Sequence, residues 1–135
     1  MTANARQIHA RSAYASVAAT TRTEGASPHR LVELLFEECL ASMKRAELGL
    51  LNGATAIATP AAAKAGAILD ALTASLDFEQ GGRIAGDLAA IYDYCRSRLR
   101  TGIASGTVAD IESAQVMLAE IASGWSAIGD RNATP

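Results

Sequence analysis

The side chains able to do chemistry are few, and their spacing does not suit it. The 135-residue chain has two histidines, His9 and His29, and two cysteines, Cys39 and Cys95. A dinuclear metal site in a helical bundle needs Glu-x-x-His pairs on two helices. Neither histidine stands three residues after a glutamate. His29 and Glu33 could share a helix face, but two ligands do not make a metal site. A phosphotransfer histidine needs an exposed mid-helix position, whereas His29 lies at a helix start. There is no Cys-x-x-Cys, no Gly-x-x-x-x-Gly-Lys phosphate loop and no Gly-x-Ser-x-Gly elbow. Gly81-Gly82 reads as a corner between helices, not a phosphate cradle. Glu33, Glu37 and Glu38 read as a solvated acidic face rather than an acid/base pair. The cysteines fall on apolar faces and read as small buried hydrophobes. The residues therefore predict no catalytic, cofactor-binding or metal-binding site, and a protein that is not an enzyme.

The elements that carry these residues are helical. Ser27-Pro28 starts the first long helix: serine caps free N–H groups, and proline at the first position loses no hydrogen bond. Glu33 is placed near its positive end. The helix runs to about Leu51 and stops at Asn52-Gly53. Its apolar residues, among them Leu31, Val32, Leu35, Phe36, Cys39, Leu40, Met43 and Leu50, spread over about 180°, wider than the roughly 100° a one-sided helix needs. Either two neighbours cover this arc, or part of it near Phe36 and Leu40 lines a groove for a partner. Thr59-Pro60 repeats the cap-plus-proline start, and Ala61, Ala65, Ile68, Leu69, Leu72 and Leu76 form a stripe. A corner at Asp77 to Gly82 leads into a third helix ending near Ile103, with Ile84, Leu88, Ile91, Cys95 and Leu99 on one face. Tyr92 and Tyr94 fall on opposite shoulders of that face. Gly102 and Gly106 bracket the next turn. Thr107 is a cap for a fourth helix, with Asp110 in its first turn and a stripe of Ile111, Leu118, Ala122, Trp125 and Ile128. Val116 and Met117 lie on its far, polar side.

Four amphipathic helices joined by about 5–8 residues imply an all-α, antiparallel up-down four-helix bundle over residues 27–128. Residues 1–26 form a short helical or irregular N-terminal segment, with a short helix expected around 8–20. Residues 129–135 are expected to be a disordered tail. The net charge of −2 argues against nucleic acid as the main partner. No apolar run reaches 18 residues, so no membrane insertion is expected. The N-terminus lacks a Sec-type signal pattern, and a cytoplasmic protein is expected. Half of the residues are hydrophobic but only 4% are aromatic. Composition and period alone stop at a bundle that binds something.

Particular residues go further. Tyr14 precedes Ser27-Pro28-His29 by a fixed interval, and Ser75-Leu-Asp, Gly81-Gly82, Ile84-Ala85, Leu88 and Ile91-Tyr-Asp-Tyr94 follow in order, with Leu99 and Trp125 near the end. In this pattern the chain resembles the FliS family of flagellin export chaperones, from Tyr14 to Ile128. It departs at Arg83, where the family usually has an acidic residue, at Thr101-Gly102, and at Arg11, often aliphatic there. The resemblance implies a cytosolic chaperone that binds the C-terminal region of flagellin, prevents premature polymerisation and aids delivery to a flagellar export gate component, without nucleotide hydrolysis. It also implies an N-terminal segment that can cover an apolar groove. Ile8, Tyr14, Phe36, Leu40, Tyr92, Tyr94, Val116 and Met117 are the candidate groove residues. A monomer is expected. The alternatives left open are an adaptor for another flagellar regulator or export component, and a bundle that dimerises through Phe36, Leu40, Val116 and Met117.

Overall fold

The computed structural model describes residues 25–133, and all of their regular structure is helical. Helix α1 spans Pro28–Leu51, α2 Thr55–Ala74, α3 Phe78–Ser105 and α4 Val108–Ala133. Each packs on the next, and α4 closes the ring against α1. This is the expected antiparallel up-down bundle. The candidates Ile8 and Tyr14, the helix expected at 8–20 and the groove-covering role of the N-terminal segment lie outside the described residues.

Helix α1 starts as its sequence demands. The Ser27 hydroxyl accepts the Arg30 N–H at 3.1 Å, and Pro28 occupies the first turn. Most of its wide apolar arc is covered by two neighbours, α2 and α4, with Leu35, Phe36, Cys39, Met43 and Ala46 buried, while Leu31 and Val32 are only partly covered. Glu33 lies beyond the first turn, so the expected dipole role is replaced by contacts with other side chains.

The connections are only two or three residues long, shorter than expected, because the helices reach further into the corners. Helix α2 begins at Thr55, and Pro60 sits inside it rather than at its start. The reason is tertiary packing. Ala58 is fully buried against Gly49 of α1, where an added Cβ would meet Ala58 atoms, backbone included, at 2.9–3.0 Å. That close contact draws the helix upstream of the cap signal.

The Asp77 to Gly82 corner contains one helical turn. Asp77 Oδ1 accepts the Glu79 and Gln80 N–H groups at 3.1 Å. The chain then breaks at Gly82, where φ is 50° and ψ −121°. A side chain strains this left-handed backbone, which is why glycine is required.

Gly102 does not mark the end of α3. It is buried inside the helix against Ile111 of α4, and an added Cβ would lie 2.7 Å from Ile111 Cδ1. The helix ends instead at Gly106. Helix α4 continues to Ala133, past the Gly129 where a disordered tail was expected. Gly129 is held against the His29 ring, which keeps this turn packed on α1.

The core is built from Leu35, Phe36 and Met43 of α1, Ile68, Leu69 and Leu72 of α2, Tyr92 and Leu99 of α3, and Ile111 and Leu118 of α4. Both cysteines are fully buried and unbridged. Cys39 Sγ donates to the Ala65 carbonyl at 3.5 Å, and Cys95 Sγ to the Ala114 carbonyl at 3.6 Å. Burial pushes the Cys95 thiol up to about 11 and Cys39 higher still, so neither is a nucleophile at neutral pH. Among the described residues no group of three or more His, Cys, Asp or Glu is placed to hold a metal ion. No helix among them is long and apolar enough to cross a membrane.

Candidate functional site

One end of the bundle is open. The start of α1, the end of α2, the start of α3 and the last turns of α4 meet there around an apolar groove of about 870 Å³. Its walls include Leu31, Val32 and Phe36 of α1, Leu72 and Leu76 of α2, Ile84, Leu88 and Tyr92 of α3, and Ile121, Trp125 and Ile128 of α4. Two of these are unusually exposed for isoleucine in a helix facing its own bundle: Ile84 at 71% and Ile128 at 49%. Neither is covered by its own helices, although Ile84 and Leu99 share one stripe of α3.

The local sequence explains the opening. The break at Gly82 sets the first turn of α3 at an angle to the rest, so Ile84 stands at the mouth of the groove while Ala85 turns inward and is buried. On α4, Gly124 leaves one position of the wall without a side chain.

Trp125 braces the opposite wall. Its indole N–H donates to the His29 carbonyl at 2.9 Å, and its ring stacks on the His29 imidazole at 4.4 Å with 5° between planes. Phe36 meets it edge-on at 6.4 Å. Such a tryptophan keeps a large apolar face toward the groove while its polar atom is satisfied. Gly129 makes the stack possible, since an added Cβ would lie 2.1 Å from His29 Nε2. Nearby, Ser126 donates to Glu33 Oε2 at 2.7 Å, and Arg30 pairs with Glu33 and, at 2.8 Å, with Glu37. The Ser126 hydroxyl, then the Arg30 guanidinium, hold the Glu33 carboxyl below the usual carboxylate range.

The acidic trio of α1 is thus not a uniform solvated face. Glu37 is exposed, but Glu33 ties α1 to α4, and Glu38 ties α1 to α2 through Lys64 at 2.8 Å. Burial raises the Glu38 pKa, but Lys64 and Arg45 together outweigh it, and the net shift is downward.

The groove gathers two of the candidate residues, Phe36 and Tyr92, both buried in its floor. Of the two shoulder tyrosines of α3, Tyr92 is buried, with only 3% exposed. Tyr94 is exposed, with the Arg98 guanidinium 5.6 Å from its ring centre, and lies outside the groove. Leu40 and Met117 pack against the core cluster elsewhere on the bundle. Val116 is exposed on α4, away from the groove. Sequence periodicity missed Ile84, Trp125 and Ile128 as groove residues, because it placed them on core stripes, and it did not single out Ile121 at all. The usable signals were the glycines beside them, Gly82, Gly124 and Gly129.

A second, shallower groove of about 470 Å³ runs between α2 and α3. Small residues, Ala63, Gly66 and Ala67, face Leu99 and Ile103 across it, with Arg96 and Arg100 alongside. Arg96 is engaged by Asp70 at 3.0 Å, Asp93 at 3.2 Å and Thr73 at 3.2 Å.

A family model described as "Flagellar protein FliS" matches residues 10–132. The chain is similar to a protein of Salmonella typhimurium named "Flagellar secretion chaperone FliS", at 37% identity over 88% of this chain and 89% of that one. It is similar to "Flagellar secretion chaperone FliSB" of Pseudomonas aeruginosa at 30% identity, over 85% of this chain and 91% of the relative. A further "Flagellar secretion chaperone FliS", from Vibrio cholerae, is 24% identical over 86% of this chain and 85% of its own length.

Proposed function

The chain belongs to the FliS family of flagellar proteins, and from that premise we propose that it is a flagellar secretion chaperone whose end groove binds the C-terminal region of flagellin. The single observation that carries this reading is an apolar groove of about 870 Å³ at the meeting of all four helices, with Ile84 and Ile128 left uncovered by the described residues. Patches of this kind are expensive for a monomer to expose and mark interaction sites. An amphipathic helix laid into such a groove buries its apolar face against Ile84, Leu88, Trp125 and Ile128.

The client's benefit follows from the same burial. Segments that assemble into a filament carry self-complementary apolar faces. Held in the groove, those faces are unavailable to other subunits, and polymerisation is delayed. Coupled folding of such a segment buries on the order of 1,000–3,000 Å² and gives up part of its interaction energy to ordering. Release then needs a competing site rather than a hydrolysed nucleotide, and a component of the flagellar type III export gate supplies it. We place this exchange in the cytoplasm. In the absence of client, residues 1–26, with Ile8 and Tyr14, act as a removable cover for the groove.

Calorimetric titration of the full chain with the C-terminal region of flagellin tests the reading. A monomer binding one client at a Kd below about 1 µM, which corresponds to roughly 8 kcal/mol, is expected. Absence of heat at micromolar concentrations, together with unaltered filament assembly, contradicts it. Deleting residues 1–20 is expected to raise the affinity or leave it unchanged.

A further inference from the structure

We infer that the end groove selects a client segment carrying a lysine or arginine beside its apolar face, and that Glu120 is the residue that reads this cation. The inference rests on the groove being the client site proposed above. Among the described residues, the charged side chains along the groove are Asp77 and Glu120, both acidic. Asp77 is already used: its Oδ1 accepts two N–H groups at the start of α3, where the helix end answers its charge. Glu120 is exposed on α4, next to Ile121 and one turn before Gly124, and makes no ion pair or hydrogen bond among the described residues. Arg83, adjacent to Ile84 in sequence, does not line the groove and makes no ion pair among the described residues.

An apolar segment seated in the groove strips water from Glu120. A carboxylate dehydrated without a partner disfavours the complex. A cation on the guest restores the lost interaction, and a guest carboxylate at the same place meets repulsion as well as dehydration. The groove between α2 and α3 has the opposite bias, since its Arg100 makes no ion pair among the described residues. A guest cation therefore distinguishes the two surfaces by the sign of their free charge, in addition to the larger size of the end groove.

The test is a double-mutant cycle on the full chain. The probe is a synthetic peptide of the flagellin C-terminal segment, with each Lys or Arg replaced in turn by Gln. Glu120→Gln is expected to weaken binding of the parent peptide about 3- to 10-fold. Glu112→Gln removes the same charge from an exposed position on α4 outside the groove, and is expected to leave Kd unchanged. One peptide variant should lose affinity for the unsubstituted chain but not for Glu120→Gln. Tight binding that ignores Glu120, equal effects of Glu120→Gln and Glu112→Gln, or additive cycles at every peptide position overturn the inference while leaving the client site standing. A peptide that binds neither form removes the client reading, and this inference with it.

Discussion

The two ends of the bundle use the same four helices and the same apolar period, yet one is sealed by close helix contacts, beside the shallow groove between α2 and α3, and the other is open. At the sealed end Gly49 sits on Ala58, and Gly102 on Ile111, so the helices approach until backbone and side chain touch. Leu99 is 3% exposed there and Ile111 not at all. At the open end the chain breaks at Gly82, and the described helices leave Ile84 and Ile128 exposed. Ile84 and Leu99 point only about 60° apart on an ideal helix. Their different burial follows from the break at Gly82, which sets Ile84 at the mouth of the groove, while Leu99 lies in the unbroken part of α3. Leu99 and Ile111 at the sealed end hold the fold together, whereas Ile84 and Ile128 at the open end are free to bind.

This contrast can be broken most sharply on one stripe of α3. Leu99→Ala is expected to destabilise the fold by about 3 kcal/mol, read by urea or thermal denaturation, because it empties a packed site. Ile84→Ala on the same stripe is expected to cost less than about 0.5 kcal/mol, as surface positions do. Equal losses would show that the two ends are packed alike. Gly49→Val tests the seal itself. The atoms it would strike include Ala58 backbone, which cannot step aside, and a loss of about 2 kcal/mol is expected.

A smaller effect compares the polar ties between α1 and α4. Glu47 is almost buried and accepts from Gln115 at 2.9 Å and Lys44 at 3.1 Å, whereas Glu33 and Ser126 make the equivalent tie near the groove. The Gln115 amide and then Lys44 hold the Glu47 carboxyl below its ordinary value. A carboxylate with a lowered folded pKa contributes stability above the unfolded value, about 4.3, and loses it as pH falls through the folded one. Glu47→Gln is therefore expected to cost about 1 kcal/mol at pH 7, and the difference from the unsubstituted chain should shrink below about pH 4. A difference that grows in acid would contradict the assignment.

Much of the fold was legible in the sequence. The Ser27-Pro28 start, the Asn52-Gly53 stop and the stripe from Ala61 to Leu72 all occur where periodicity and capping put them. The errors share one physical cause: contacts between helices override local signals. Thr59-Pro60 is a good helix start, but burial of Ala58 against Gly49 extends α2 past it. Gly102 is a poor helix former, but its lack of a side chain lets Ile111 pack on α3. The groove was harder to see, because a residue on an apolar stripe looks the same whether its neighbour is present or missing. Phe36 and Tyr92 were legible as candidates from the wide arc and the family resemblance. Ile84 and Trp125 were assigned to the core, and only the breaks and gaps beside them mark the difference.

Trp125 is the sole tryptophan in the chain and forms part of the groove wall, so its emission reports directly on occupancy. Titration of the full chain with a tryptophan-free flagellin C-terminal segment should give a saturable, one-to-one shift in Trp125 fluorescence. Ile84→Asp should weaken that binding at least about tenfold, by setting a charge in the apolar mouth, while leaving thermal stability nearly unchanged. Emission that does not respond to the segment, or binding that Ile84→Asp leaves intact, would contradict the open end as the client site.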